Sequence, residues 1–227
     1  MRLNQFLASS SALSRRGADA AIAEGLVRVN GQVAVLGQQI DPTKDQITLS
    51  GEPVKTAAPV TIVLNKPVGY VTSRRGQGSK TIYDLLPAEF QQLKPAGRLD
   101  KASSGLLVLS NDGDLINQLI HPSRGKSKRY QVRLDRPLDS LGREYLEAGV
   151  VLTEGKSRLK LVKRSGADLT VELATGWNRQ IRRTFEALEY GVMALQRDKI
   201  GAISLDDLAT GRWRNLTDEE AAWLGSS

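Results

Sequence analysis

The sequence predicts an α+β protein in which a mixed, mostly antiparallel central sheet follows a small amino-terminal ααβ domain. Three observations predict it. Residues 1–50 show two helical patterns and then a hairpin pattern, residues 51–59 form a proline-bounded run of mostly small residues, and residues 60–227 alternate strand and helix patterns. We therefore expect a module at 1–50, a linker at 51–59 and a larger domain at 60–227.

The first module contains two short helices and a hairpin. Apolar residues recur at helical spacing between Leu3 and Leu7, and Ser14 is placed to cap a second helix that ends at Gly25. Valines at alternating positions then flank Asn30-Gly31, a dipeptide typical of tight hairpin turns. A unit of this size buries only a small core, so the pattern predicts a compact accessory module.

The larger domain contains strands separated by helical stretches. Short apolar runs and alternation predict the strands, and helical spacing predicts the helices. The predicted strands are Val60–Leu64, Leu106–Ser110, Tyr130–Leu134, Leu159–Val162 and Leu169–Leu173, and the helices lie near Asp114–Ile120 and Gln180–Glu189. Strands in this order suggest a mixed sheet with few parallel pairs.

Composition excludes several kinds of site. The chain has no Cys and one His, so a Cys/His zinc site, a disulfide scaffold and a Cys nucleophile are ruled out. We expect neither a metal nor a cofactor. No run approaches the ~18 apolar residues that cross a membrane, and no secretory leader is evident, so we expect a cytoplasmic protein.

The formal net charge of +7 suggests a polyanionic partner. Two stretches contain basic but no acidic residues. The basic residues are Arg124, Lys126, Lys128, Arg129 and Arg133 in the first, and Lys156, Arg158, Lys160, Lys163 and Arg164 in the second. Either stretch could follow a phosphate backbone. A solvated strand face explains both equally well.

Residues 1–50 resemble the alpha-L RNA-binding module, which a small-subunit ribosomal protein, tyrosyl-tRNA synthetases and several RNA-modifying enzymes share. The resemblance rests on three blocks in order: 2–7, Ser14-Arg15-Arg16 and 25–31. It implies RNA contacts from Arg2, Ser14, Arg15, Arg16, Arg28 and Asn30. One departure is Gly17, where the family commonly has a Glu that would complete a capping box with Ser14.

Asp100 lies where a polar turn runs into the apolar strand at 106–110. From the residues alone, an Asp at such a junction is more often a turn former than a catalytic group. However, Gly97-Arg98-Leu99-Asp100, followed by Ser103-Ser104-Gly105-Leu106, resembles the catalytic motif of RNA pseudouridine synthases. Four further blocks resemble the same family in order: 65–70, 128–130, 178–183 and 195–201. The tail at 205–216 is similar to the branch that acts on ribosomal RNA.

The resemblance implies a catalytic trio of Asp100, Tyr130 and Arg182. Pseudouridine formation breaks the glycosidic bond of uridine and rejoins the base through carbon five, so a carboxylate must manage a developing ribosyl cation or a covalent adduct. Asp100 would be that nucleophile, and Arg182 would keep it ionised and orient it through two parallel hydrogen bonds. Phosphate binding is the alternative for Arg182, and we expect that role for Arg179 and Arg183.

The target base must leave its stack in RNA, which costs a few kcal/mol. Tyr130 would receive the base on its ring, a contact that returns roughly 1–3 kcal/mol, and its phenol would help to remove the proton from carbon five. Leu195 would be the apolar wall on the other side of the uracil. Periodicity alone explains both as ordinary core residues. Arg98 and Lys128 would bind RNA near the displaced base.

Two other features suggest a functional site but receive no catalytic role. The segment 76–81 resembles a phosphate loop, but Ser79 stands where a Gly must precede the Lys. We expect a flexible, RNA-facing loop there. His121 is the only histidine and receives no role.

The resemblance implies a cofactor-free isomerase that converts particular uridines in ribosomal RNA, with large-subunit RNA slightly favoured. We expect a monomer that acts on ribosomal RNA or a pre-ribosomal particle. Two alternatives remain. One is a catalytically silent RNA-binding protein, and the other is a glycoside-cleaving hydrolase, which generally needs a second carboxylate that no motif here supplies.

Overall fold

The computed structural model describes residues 1–11, 13–55, 57–121 and 126–225. Thr56 in the predicted linker and Arg124 in the first basic stretch lie outside these residues. The chain divides into two compact units. The smaller consists of Met1–Val60, Gln92–Lys94 and Ser110–Gly113, and the larger of Thr61–Gln91, Pro95–Leu109 and Asp114–Ser227.

The small unit has the two predicted helices and a four-stranded sheet. Its elements are α1 (Leu3–Ser10), α2 (Arg15–Ala23), β1 (Val27–Val29), β2 (Gln32–Val33), β3 (Ile47–Leu49) and β4 (Glu52–Pro53). Ser14 caps α2, because its hydroxyl accepts a hydrogen bond from the backbone N–H of Gly17 at 3.0 Å. Buried apolar side chains join helices and sheet in one core: Leu3, Phe6, Leu7, Ala18, Ala21, Ile22, Val27, Val29, Ala34, Ile40 and Ile47.

The predicted hairpin turn forms at Asn30-Gly31. Both residues have positive φ, 51° and 81°, as a tight turn between twisted strands requires. The side chain of Asn30 is used inside the unit, since its amide donates to Asp45 at 2.8 Å and its oxygen accepts from the N–H of Gln46 at 2.9 Å. Asn30, which we expected to contact RNA, therefore stabilises the turn, and its side-chain polar groups already have protein partners.

The structure differs from the predicted linker at its start. Ser50 and Gly51, with φ of 52° and 88°, form a second tight turn. Glu52–Pro53 then pairs with β3 as an antiparallel edge strand. The sequence suggested a linker because Pro is rare in strands, but an edge strand tolerates it where no ladder hydrogen bond is needed.

Most of the remaining elements build the large unit. In chain order they are β5 (Thr61–Lys66), two 3-10 helices (Ile82–Leu85 and Ala88–Phe90), β6 (Lys94–Pro95), β7 (Ser104–Ser110), α3 (Gly113–Ile120), β8 (Lys128–Leu134), α4 (Ser140–Ala148), β9 (Val150–Leu152), β10 (Gly155–Ser157), β11 (Lys160–Ser165), β12 (Asp168–Leu173), α5 (Gln180–Glu186), β13 (Val192–Ile200), β14 (Ile203–Ser204), β15 (Trp213–Asn215) and α6 (Asp218–Gly225). All five strands and both helices predicted for this domain are present, with boundaries shifted by a few residues.

The central sheet has the strand order β11-β12-β8-β13-β7-β5-β15, with β14 beside β13 and β6 beside β7. The pairs β11–β12, β12–β8, β8–β13 and β5–β15 are antiparallel, whereas β13 and β7 are parallel. This confirms the predicted α+β class with a mixed, mostly antiparallel sheet. The central strand β13 was not predicted. No helix within the described ranges is long and apolar enough to cross a membrane.

Gly105 allows β7 and β13 to approach closely. Its φ is +106°, and a Cβ placed there would lie 2.1 Å from the backbone oxygen of Arg197. A side chain at this position would force the two strands apart. The glycine of the Ser104-Gly105-Leu106 motif is thus a packing requirement of the parallel pair.

The basic residues of β8 do not act alike. On its exposed side, Arg129 pairs with Asp198 at 3.0 Å and Arg133 pairs with Asp168 at 2.7 Å. These two arginines form a solvated, ion-paired strand face, which is one of the two interpretations of the first basic stretch. Lys128 belongs to the pocket described next.

Candidate active site

A cavity of about 350 Å³ opens in the large unit where the loop before β7, the start of α5 and the strands β8 and β13 meet. Six of the residues predicted for the site line it: Arg98, Asp100, Lys128, Tyr130, Arg179 and Leu195. Its other lining residues include Ser103, Trp177, Gln180 and Arg197. The structure therefore brings together residues from four motifs that are far apart in the chain. Arg182 and Arg183 do not line this cavity.

Lys66 holds the loop that carries Asp100. This lysine is fully buried, and its ammonium donates to the backbone carbonyls of Pro67 at 2.9 Å, Asp100 at 3.1 Å and Ser103 at 2.7 Å. Burial lowers the pKa of Lys66 to about 8, and the charge of Asp100 opposes the shift. The carboxylate of Asp100 itself makes no hydrogen bond within the described residues, so it remains available to a ligand.

We expect Lys66→Met to lower kcat by about 100-fold, because small displacements of a reacting group cost that much. The substitution removes the ammonium that donates to the carbonyls of Pro67, Asp100 and Ser103, and each carbonyl left unsatisfied costs about 1–3 kcal/mol. Tritium release from RNA labelled at carbon five of uridine measures kcat, with circular dichroism as the check on folding. Lys101→Met is the matched control, since Lys101 is exposed and its ammonium donates to the hydroxyl of Ser79. A folded Lys66→Met protein with wild-type kcat would contradict this role.

Arg182 lies near Asp100 but is held by backbone carbonyls. Its Nη1 donates to Val192 and its Nη2 to Ala102, both at 2.8 Å, and its buried Nε has no partner within the described residues. The two parallel hydrogen bonds that we expected to Asp100 are therefore not formed. The bond from Nη2 goes instead to the carbonyl of Ala102, two residues beyond Asp100.

Arg182 instead acts on Asp100 through its charge. Burial lowers the pKa of Arg182, the charge of Arg179 lowers it further, and the charge of Asp100 raises it. A guanidinium stays protonated despite such shifts. The geometry thus provides a fixed cation near Asp100 that does not occupy its carboxylate oxygens.

Arg183 forms an ion pair with Glu154 and does not line the cavity. It forms two hydrogen bonds to Glu154, at 2.7 and 2.5 Å, and a third to the carbonyl of Asn178 at 2.9 Å. The hydrogen bonds from Arg183 lower the pKa of Glu154 to about 2. Through these bonds Arg183 connects Glu154 to the segment around Asn178, and its predicted contact with phosphate stays a prediction.

The start of α5 places Arg179 at the cavity. Arg179 has a left-handed backbone, φ 49° and ψ 30°, which is uncommon for a residue with a side chain and tends to occur at functional sites. The buried side chain of Gln180 supports this turn, since its oxygen accepts from Thr175 and Trp177 and its amide donates to Ser157. Arg98 and Arg179 are both exposed at the cavity, in reach of a polyanion.

Tyr130 and Leu195 lie on neighbouring strands at the same cavity. Tyr130 is 9% exposed on β8, and Leu195 is 7% exposed on β13. Leu195 pairs with Val132, two residues along β8 from Tyr130, so both side chains come from adjacent parts of the sheet. This near-complete burial reconciles the two interpretations of these residues, because they belong to the core and also line the cavity.

Sequence reasoning missed several residues of the site. Lys66 lies in the matched block 65–70 and Arg197 in the matched block 195–201, so the motifs contained a signal that we did not assign to a role. Trp177 and Ser103 also line the cavity. Ser103 has a buried hydroxyl without a partner in the described part of the chain.

The small unit presents part of the predicted RNA-contacting set on its surface. Arg2, Arg15 and Arg16 are exposed, and within the described ranges no hydrogen bond or ion pair engages the side chains of Arg15 and Arg16. Arg28 is also exposed but donates to the carbonyl of Gly31 at 2.8 Å. The hydroxyl of Ser14 is engaged in capping α2. The guanidinium groups of Arg15 and Arg16 are therefore available to a ligand within the described structure.

Comparison with known proteins identifies both parts of the chain. Residues 60–187 match the family described as RNA pseudouridylate synthase, and residues 1–47 match the S4 domain. Over 97% of this chain and 77% of the relative, 37% of residues are identical to the dual-specificity RNA pseudouridine synthase RluF of Escherichia coli strain K12. Identity is also 37% to ribosomal large subunit pseudouridine synthase B of Bacillus subtilis, over 98% of this chain and 95% of that protein.

A solved structure has the same fold along its whole length. The crystal structure of a pseudouridylate synthase superimposes with a TM-score of 0.72 and 31% identity, covering 99% of both chains. The family expected from the ordered motifs is thus confirmed by sequence and by structure. This chain belongs to the RNA pseudouridylate synthase family and carries an S4 domain at its amino terminus.

Proposed function

We propose that this protein isomerises specific uridines of ribosomal RNA to pseudouridine, with Asp100 as the nucleophile. The observation that carries the proposal is a single cavity in which an unoccupied carboxylate, Asp100, faces a space lined by Tyr130 and Leu195. One carboxylate and an apolar slot suit a flipped pyrimidine, because the base needs a flat, dry surface while the carboxylate meets the sugar or ring.

The roles of the individual residues follow from their positions. Asp100 attacks or stabilises the ribosyl carbon as the glycosidic bond breaks, with the positive charge of Arg182 nearby. Tyr130 stacks on the uracil and helps to take the proton from carbon five, while Leu195 covers the base from the other side. Arg98, Arg179 and Lys128 bind the surrounding RNA backbone, which needs cations at the rim of the cavity.

The proposed substrate is large-subunit ribosomal RNA, alone or in a pre-ribosomal particle, and the enzyme acts as a monomer in the cytoplasm. The name of the Bacillus subtilis relative, which specifies the large ribosomal subunit, favours this choice. The residues that line the cavity give no sequence readout, so RNA shape and loop contacts must select the uridine.

The test is to incubate the enzyme with large-subunit and small-subunit RNA transcripts and to map pseudouridine by carbodiimide modification and primer extension. We expect modification at a discrete uridine of large-subunit RNA. Pseudouridine in small-subunit RNA alone would overturn the proposal that large-subunit RNA is the substrate. Tight RNA binding without product, even with enzyme in excess, would indicate the catalytically silent alternative.

The S4 domain is proposed to add affinity through phosphate contacts. Replacing Arg15 and Arg16 by Ala should weaken RNA binding and reduce the slope of log K against log salt by about 1–2, since each phosphate contact contributes about 0.7–0.9. Filter binding at several salt concentrations measures the slope. Lys44→Ala is the control, because Lys44 lies in the same unit and pairs with Asp41. An unchanged slope in the double variant would show that this face does not meet RNA.

A further inference from the structure

Arg197 is a buried cation beside the cavity that the proposed mechanism has not used. Its side chain lines the cavity, yet the residue is only 3% exposed. Among the described residues no carboxylate pairs with it. Burying a guanidinium without a counter-charge is costly, so its retention calls for a compensating interaction.

The contacts of Arg197 lead to Tyr130. Its Nε donates to the backbone carbonyl of Leu106 at 2.8 Å, which fixes the side chain against β7. Its Nη1 donates to the phenol oxygen of Tyr130 at 3.4 Å, and the guanidinium carbon lies 6.0 Å from the centre of that ring. The Nη2 is buried and has no partner within the described residues. The guanidinium is therefore fixed through Nε, makes one long hydrogen bond through Nη1 and has no partner at Nη2 within the described residues.

The register of the strands places Arg197 next to Tyr130. Arg197 on β13 is the direct cross-strand partner of Tyr130 on β8. On its other side, the absence of a side chain at Gly105 lets β7 approach the backbone of Arg197. The guanidinium is thus held from two strands at once, and the phenol is the polar side chain to which it donates.

A purely structural role explains only part of these contacts. Tying β13 to β7 accounts for the hydrogen bond from Nε to Leu106. That role does not account for a charged group directed at a phenol. A neutral donor could bond the same carbonyl of Leu106 without the cost of burying a charge. The charge of Arg197 also reaches the cavity, because the pKa of Lys128 is lowered first by burial and then by that charge.

We propose that Arg197 is a positioning residue that orients the phenol of Tyr130 and stabilises negative charge on its oxygen while the proton at carbon five is removed. The inference rests on the proposed role of Tyr130. In that step, after the new C5–C1′ bond has formed, the C5–H bond breaks and its electron pair restores the C5–C6 double bond. N1 gains a proton, and the Tyr130 oxygen, having released its own proton to solvent, accepts the one from carbon five. A hydrogen bond from a fixed cation is strongest when the accepting oxygen is negative.

A double-mutant cycle with Tyr130→Phe tests the proposal, because coupling appears only if Arg197 acts through the phenol oxygen. Single-turnover tritium release is measured for wild type, Arg197→Met, Tyr130→Phe and the double variant. We expect Arg197→Met to lower kcat by about 10- to 100-fold, the range for losing a charged hydrogen bond, and to change KM by less than about twofold. In the Tyr130→Phe background the same substitution should lower kcat by less than about twofold, because the oxygen on which it acts is gone.

Two further variants keep the test decisive. Arg197→Lys retains the cation and should keep more activity than Arg197→Met, and it replaces the Met variant in the cycle if that one does not fold. Arg143→Met removes an equal charge from α4, where Arg143 pairs with Glu147, and should leave kcat unchanged. Circular dichroism and thermal melts check the fold of every variant.

Each possible failure has a distinct meaning. If Arg197→Met lowers kcat by the same factor in both backgrounds, Arg197 acts independently of the phenol and the inference is wrong. An Arg197→Lys variant as impaired as Arg197→Met would also overturn it, because the charge would then be irrelevant. If Tyr130→Phe alone has wild-type kcat, the proposed role of Tyr130 fails first, whatever Arg197 does.

Discussion

Asp100→Asn should abolish tritium release from RNA labelled at carbon five of uridine, with a loss of roughly 10⁴-fold or more, as is typical when a nucleophile is removed. Asparagine has nearly the same size as aspartate but lacks the charge and the nucleophilic oxygen. The loop should not move, because Lys66 bonds the main-chain carbonyl of residue 100 and not its side chain. The loss should therefore fall on kcat, while RNA affinity and thermal stability stay close to those of the wild type.

The control for this experiment is Asp168→Asn. Asp168 accepts two hydrogen bonds from Arg133 on the exposed face of the sheet and does not line the cavity, so the same chemical change there should leave tritium release intact. Undiminished release from Asp100→Asn would defeat its assignment as nucleophile. Free uracil in the wild-type reaction would instead favour the hydrolase alternative.

Arg182→Met should lower kcat by about 10²- to 10³-fold, the usual cost of deleting one fixed electrostatic partner from an active site. The variant loses the cation that acts on Asp100 and also the hydrogen bonds to Ala102 and Val192 that tie the loop after Asp100 to the strand β13. Methionine has a similar length and fills the space, so the effect should appear mainly in kcat. Single-turnover tritium release with saturating enzyme measures it.

Arg183→Met provides a direct comparison. Arg183 is the next residue on the same helix and carries the same charge, but its donors are used by Glu154 and Asn178. An exposed ion pair of this kind is worth about 1 kcal/mol or less, so we expect less than about a fivefold change in kcat. Equal losses in the two variants would mean that general positive charge, and not the position of Arg182 beside Asp100, supports catalysis.

The sequence determined the fold class because the elements that define it are strongly patterned. Strand β7 is a nearly continuous apolar run, and β12 alternates polar and apolar residues. The helix α2 has its cap at Ser14. Local propensity and burial agree at these positions, so periodicity alone was sufficient. The order of the motifs likewise identified the family, and it predicted a site at Asp100.

The strand β13 shows where local pattern failed. Its segment Gln196-Arg197-Asp198-Lys199 is polar and reads as a loop, yet it lies in the middle of the sheet. Within the described residues its polar side chains bond to residues distant in sequence: Arg197 donates to the carbonyl of Leu106, and Asp198 accepts from Arg129 and Gln131 on the opposite face. A buried polar group needs hydrogen-bond partners to offset the cost of its burial. Those partners are set by the order of the strands in the sheet, which the periodicity of the sequence does not encode.

The sequence by itself therefore determined which residue types this protein uses, in which order, and that a carboxylate at position 100 follows a polar turn. Only the tertiary structure decided what each arginine does. Arg182 and Arg183 are adjacent in the chain, but successive residues on a helix point about 100° apart. One consequently meets the loop of Asp100 and the other meets Glu154. That choice depends on how the helix packs against β9 and β13, which arises from the whole fold and not from either residue's neighbours in sequence.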